Sequence, residues 1–407
     1  MWRCGVSWLR PTVTLLLSLA EFSTERVTAA SMGSDPRGVR LFLTGDVMLG
    51  RGLDQTLQHH VDPVLYEDYV KDARDYVALA VRKNGPLPEN RTTAYIWGDT
   101  LEILDNLQPD FRIINLETAV TTSERPWPRK GIHYRMHPKN VEVLTAGKID
   151  CCVLSNNHVL DWSYDGLTET VQTLKQANIA HVGAGQNAVE AMQPAILPIK
   201  SGEPGRVLVF GLGHFSSGVP PSWAATNTKA GVNYIDFDSA QDLQRLQESI
   251  ENSRQPEDLV VVSVHWGSNW DFDVESSHRR FAHKLIDNLG VDLIHGHSSH
   301  HIKGMEIYNG KLILYGCGDF LSDYEGISDG IGSTKPRDDV SFMYLVDLDP
   351  EGGALKRLQL IPTRLKKMQV NLATGGDENW LWTTMKRELR RFDLDLTRGE
   401  NGFELVF

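Results

Sequence analysis

From Val39 onward, short apolar runs alternate with stretches in which apolar residues recur every three or four positions. The runs Val39 to Thr44, Phe111 to Leu116, Cys151 to Ser155, Val207 to Leu212, Leu259 to His265, Leu293 to His295, Leu312 to Tyr315 and Ser341 to Asp347 have the length and composition of buried strands. Between them the helical period predicts helices over Tyr95 to Asn106, Tyr164 to Gln176, Ala240 to Asn252 and Ser276 to Leu289. Ser163 or Asp165 is placed to cap the second of these, and Gly290 to stop the last. Strands and helices in alternation predict an α/β layered fold.

Three stretches break the alternation. Residues Asp62 to Arg91 are charged and carry Pro86 and Pro88, which predicts a helix followed by a surface loop. Pro126 and Pro128, with Arg125, Arg129 and Lys130, mark a second loop, after which Ile132 to Met136 alternates like a short strand. Beyond Pro362 the chain turns polar, so residues 374–407 read as a C-terminal helical extension to a domain spanning 39–373.

The first 38 residues read as a leader. The apolar stretch Val13 to Ala20 is too short to span a bilayer but long enough for a signal-peptide core, and Glu21 and Glu25 follow it directly. A disordered leader and a cytoplasmic location are the expectation, with secretion the alternative if residues 1–30 act as a signal.

Composition narrows the partners. In 407 residues, 41% hydrophobic and 23% charged, a sizeable core is available. A formal charge of -12 argues against nucleic acid, which requires a basic surface to displace phosphate counterions. No run is apolar and long enough for a membrane span. Four cysteines are too few for a disulfide scaffold; Cys151 and Cys152, adjacent in an apolar run, read as buried thiols facing opposite ways.

Chemistry concentrates in five polar segments, each following an apolar run: Gly45 to Arg51, Ile114 to Glu117, Leu154 to His158, Val264 to Gly267 and His295 to His301. They offer carboxylates, amides and imidazoles, the donors of a divalent metal centre. Open α/β sheets gather ligands at the carboxyl ends of their strands, where all five segments fall. On this reading Asp46, Glu117, Asn156 or Asn157, His265, His297 and His300 are metal-ligand candidates. Asp161, about one helical turn beyond His158, is placed to orient that imidazole, and Arg51 is a cation suited to an anion. His295 and His301 are supporting or spare groups. Trp266, Trp270 and Phe272, with Asp271 and Asp273, either line a cleft or pack in the core.

These motifs, in the order GDVMLGR, NLET, SNNHVLDWSYDGLTET, HWG and GHSSH, resemble the bacterial capsule-synthesis CapA family of poly-γ-glutamate, within the calcineurin-like metallophosphoesterase superfamily. The resemblance runs from Val39 to Ala373 and implies a four-layer α/β/β/α sandwich with a metal centre between two sheets. It makes Glu117 a metal-bridging carboxylate and His158 the catalytic histidine. The chain departs from the superfamily pattern at Met48, where a histidine belongs, at Asn156 in place of glycine, at Asn269 in place of a glutamate, and in the spacing of His297 and His300. Thioether sulfur is a poor ligand for hard ions, so one of two metal positions is expected to be short of a ligand.

The expected function is metal-dependent hydrolysis of a phosphoester or γ-glutamyl or amide bond in an anionic small-molecule or polymer substrate. One or two divalent ions, Mn, Fe, Zn or Mg, would serve it, with His158 and Asp161 as the proton-transfer pair and Arg51 facing the anion. The alternatives are a non-catalytic CapA-like protein assisting poly-γ-glutamate synthesis or export, and a metal-containing binding module. Protein partners are left open by the residues.

Overall fold

A computed structural model describes residues 38–200, 205–327 and 335–407. The leader expected over residues 1–38, Cys4 included, lies outside them but for Gly38.

Two sheets carry the fold. In the larger, Val39–Val47 pairs in parallel with Phe111–Leu116, which pairs in parallel with Cys151–Val153, and that with Ala180–Val182. On its other side Val39–Val47 pairs antiparallel with Val340–Leu348, and that strand antiparallel with Leu355–Leu365. The smaller sheet holds Arg206–Gly213, Leu259–His265, Leu293–His297 and Lys311–Leu314 in parallel, with antiparallel strands Ala195–Pro198 and Met305–Tyr308 at its edges.

Strict alternation along these strands builds three cores. Leu41 and Leu43 point inward to meet Val207, Val209, Val261 and Leu293 of the smaller sheet. Phe42, between them, points outward with Ile114 against Leu53, Leu104, Leu167 and Val171 of the helices on that side. On the far face Val260 and Val262 pack beneath Leu246 and Ile250 of the helix Ala240–Ser253 and Phe281 and Leu285 of Ser276–Leu289. Helix, sheet, sheet, helix is the metallophosphatase-like sandwich. Cys151 lies in the inner core and Cys152 in the outer one, as their adjacency in a strand requires.

The helix Ser276–Leu289 ends at left-handed Gly290, as expected. Neither Ser163 nor Asp165 caps the helix Ser163–Gln176: it begins at Ser163, so both lie inside its first turn, where Asp165 ion-pairs with Arg125. The expected helix Tyr95 to Asn106 is broken at Gly98, leaving a single turn, Tyr95–Trp97, before Thr100–Leu107.

The C-terminal segment differs most from expectation. Gly376–Leu389 is helical, but Asp395–Gly399 and Gly402–Val406 form a hairpin. Its Phe403 and Glu404 pair with Leu360 and Gln359, extending the larger sheet. Leu381, Met385, Leu396 and Phe403 enter the inner core, so these residues complete the sandwich and are no appendage to it. The physical reason is the period-two pattern of Leu394, Leu396, Phe403 and Leu405, masked by intervening charges.

Candidate metal centre

Asp46 owes its position to an irregularity in its strand. Leu43 faces Ile113 and Asp46 faces Asn115, so three steps on one strand match two on its neighbour. The extra residue is a bulge, a device that re-aims a side chain. Gly45 is required there: a Cβ would lie 1.8 Å from the carbonyl oxygen of Gly318. That close approach lets the Asp46 amide donate to Gly318 O at 2.9 Å and sets Asp46 opposite Asp319 in parallel register.

The other candidates arrive from strand ends. Glu117 follows Phe111–Leu116, Asn157 and His158 follow Cys151–Val153, and His265 and His297 terminate neighbouring parallel strands in register with each other. Their Nδ1 atoms lie 2.8 Å apart, and Asn157 Oδ1 is 3.1 Å from His265 Nε2. Donor atoms of Asp46, His265 and His297 fall within 4.8 Å of one another, and so do those of Asp46, His300 and Asp319. Asp46 belongs to both groups. The two together form a candidate metal-binding cluster suited to divalent ions.

A supporting layer fixes these groups. Ser263 Oγ lies between His295 Nδ1 at 3.0 Å and His297 Nε2 at 2.9 Å, while His295 Nε2 bonds Thr44 O at 2.8 Å. His295 is therefore a support. His301 is tied to Ile302 O and to the amide of Asp271, away from the cluster. Asn156, in the place of a glycine, donates to Asn115 Oδ1 at 3.0 Å and Leu116 O at 2.9 Å and accepts from the His158 amide at 3.1 Å.

Burial sets the electrostatics. Loss of water raises Asp46 to about 6 and pushes Glu117 well above the usual carboxylate range, where repulsion from Asp46 adds to the effect. Burial, and then neighbouring imidazoles, drive His265 and His297 well below their ordinary value. Burial opposes charge on His300 too, but the Asp319 and Asp46 carboxylates outweigh it and its pKa rises. Asp46 Oδ2 and Asp319 Oδ2 are buried without a hydrogen-bond partner. Crowded carboxylates, neutral imidazoles and orphaned oxygens are a donor set that a divalent cation satisfies.

His158 Nδ1 lies 2.6 Å from Asp161 Oδ2, and its Nε2 faces inward, 3.7 Å from Glu117 Oε1. Asp161 also accepts from the Tyr134 amide at 2.6 Å and pairs with Lys130 Nζ at 2.8 Å. Tyr134 stacks on the imidazole at 4.0 Å. Burial lowers His158 to about 4, against the pull of Asp161. Lys130 marks only a loop in the sequence; its approach to Asp161 is a tertiary contact.

Arg51, expected to face an anion, lies among the residues lining the cleft over the cluster. It is 3% exposed, pairs with Glu67 at 2.8 Å and with Asp323, and lies over the Tyr76 ring at 3.9 Å. Two carboxylates already balance its charge. The Met48 sulfur accepts from the Gly50 amide at 3.1 Å.

A cleft of about 490 Å³ opens over the cluster, lined by Asn157, His158, His300, Lys130, Tyr134 and Trp270 among others. Trp270 stands 53% exposed there, whereas Trp266 is buried in the outer core and Phe272 packs on His301. Asn269 also lines the cleft, its carbonyl accepting from the His300 amide at 3.1 Å. Among the described residues no helix is long and apolar enough to cross a membrane.

The family model described as bacterial capsule synthesis protein PGA_cap matches residues 40–324. A probable polyglutamine synthesis accessory protein of Mycobacterium tuberculosis is 43% identical over 377 residues, 92% of this chain and 98% of its own. The PGA biosynthesis protein CapA of Bacillus subtilis is 26% identical over 72% of this chain and 76% of its own. The capsule biosynthesis protein CapA of Bacillus anthracis is 24% identical over 64% and 58%. With one family model spanning most of the chain and one relative spanning nearly all of it, the chain belongs to the bacterial capsule-synthesis PGA_cap family.

Proposed function

We propose that the protein is a metal-dependent hydrolase acting on a phosphoester or γ-glutamyl amide bond of an anionic substrate. The observation that carries this is the inward Nε2 of His158, held by Asp161 at the floor of a cleft beside Asp46, Glu117, Asn157, His265, His297 and His300. Those six residues would hold one or two divalent ions, which supply Lewis-acid activation of water and substrate. Asp161, fixed by Lys130 and the Tyr134 amide, keeps the Nδ1 proton of His158 and leaves Nε2 free. His158 accepts a proton at Nε2 from the attacking water and passes it to the leaving group as the bond to that group breaks. Tyr134, stacked on the ring, excludes water from that face.

The test is metal content of the purified full chain, then turnover of p-nitrophenyl phosphate, bis-p-nitrophenyl phosphate and γ-glutamyl p-nitroanilide. Stoichiometric metal and turnover of one substrate, reduced on the order of 100-fold or more in His158→Ala, is the expected result. Full turnover by metal-loaded His158→Ala sinks the mechanism.

A second reading, a non-catalytic role assisting synthesis of an anionic glutamyl polymer with protein partners, is favoured by the relatives' names, one an accessory protein and one a PGA biosynthesis protein. Stoichiometric metal without turnover would select it.

A further inference from the structure

We propose that Asp319 is the ligand that completes the metal position left short by Met48, making that half of the centre rich in oxygen and suited to a hard divalent ion such as Mn²⁺. The proposal rests on the metal centre argued above, but on no turnover.

Asp319, Asp46 and His300 present donor atoms within 4.8 Å of one another. Asp319 is 3% exposed and Asp46 1%, and each keeps one oxygen, Oδ2, with no hydrogen-bond partner. A buried carboxylate oxygen left without a donor is costly, and a cation is what answers two of them at once. Met48 cannot compete, since its sulfur is occupied by the Gly50 amide.

The backbone is built for this placement. Asp319 begins the strand Asp319–Leu321, which pairs in parallel with Val39–Val47 at Asp46↔Asp319. The pairing needs Gly45, because any side chain there would collide with Gly318 O. A second carboxylate hardens this half, whereas the half around His265 and His297 offers two nitrogens. His300 Nδ1 bonds Asp319 Oδ1 at 2.9 Å, so the rival role for Asp319 is merely to orient that ring.

The full chain, stripped of metal and titrated with MnCl₂, is expected to retain about two Mn²⁺ per chain after gel filtration, measured by elemental analysis. Asp319→Asn, which keeps an acceptor for His300, and Asp319→Ala are each expected to retain about one, with His265→Ala reporting loss from the other half. Circular dichroism checks that each variant folds. Two ions retained by Asp319→Asn, or one ion only in the wild type, overturns the assignment. A wild type that binds none overturns the metal centre itself, a separate failure.

Discussion

Asn115 donates its side-chain amide to Asp46 Oδ1 at 2.7 Å, deep in the parallel half of the larger sheet. Asn115 is in turn held by Asn156, so a chain of buried amides leads from the His158 loop to the carboxylate shared by both donor groups. Removing such an outer partner typically weakens metal binding about 10- to 100-fold. Asn115→Ala is expected to show that loss in a Mn²⁺ titration followed by calorimetry; unchanged affinity would mean that Asp46 needs no orientation.

Asp161 fixes the protonation pattern of His158. With Asp161→Asn, the side chain can present an amide to the ring and the preference for a proton on Nδ1 is lost. Nitrogen-15 shifts of His158 should report the Nδ1–H tautomer in the wild type and its loss in the variant. If the proposed hydrolase reading holds, turnover falls by on the order of 100-fold or more with it.

Gly45→Ala forces the Gly318 segment away, since the added carbon would sit 1.8 Å from its carbonyl oxygen. Overpacking of this kind costs on the order of 1–3 kcal/mol. Urea unfolding should reveal that loss, and because the displaced strand carries Asp319, metal retention should fall with it.

Asp54 accepts from the amides of His137 and Val61, each at 2.8 Å, yet burial outweighs these bonds and raises it from 3.8 to about 6. Both states are protonated below pH about 3.8; as pH rises the unfolded chain ionises first, and folding stability declines until the folded group ionises near 6. The decline from this group is about 3 kcal/mol, because one pKa unit is worth about 1.4 kcal/mol. The difference in stability between Asp54→Asn and wild type should therefore shift in favour of the variant between pH 4 and 7 by an amount of that order. A flat difference across that range would refute the assignment.

Strand ends were legible because apolar runs announce their own termini: His265 closes the strand it was expected to close, and His297 closes one that runs two residues past its expected end at His295. Asp319 escaped notice because what brings it to Asp46 is pairing between distant segments. A local signal existed, for Gly318-Asp319 follows the run Leu312 to Tyr315 much as Gly45-Asp46 follows Val39 to Thr44. The partners of Arg51 were illegible for a complementary reason. A cation beside glycines suits an anion, but Glu67 and Asp323, which neutralise it, come from elsewhere in the chain.

The C-terminal hairpin also has a protective consequence. Gly402–Val406 occupies the backbone of Leu355–Leu365 at Gln359 and Leu360, an edge that would otherwise be open to any passing strand. The outermost strand carries Asp395 and Arg398, charges that discourage intermolecular pairing. A chain ending at Asp393 should self-associate under conditions where the full chain stays dispersed, which light scattering would register; the hairpin is thus a guard against aggregation as well as part of the core.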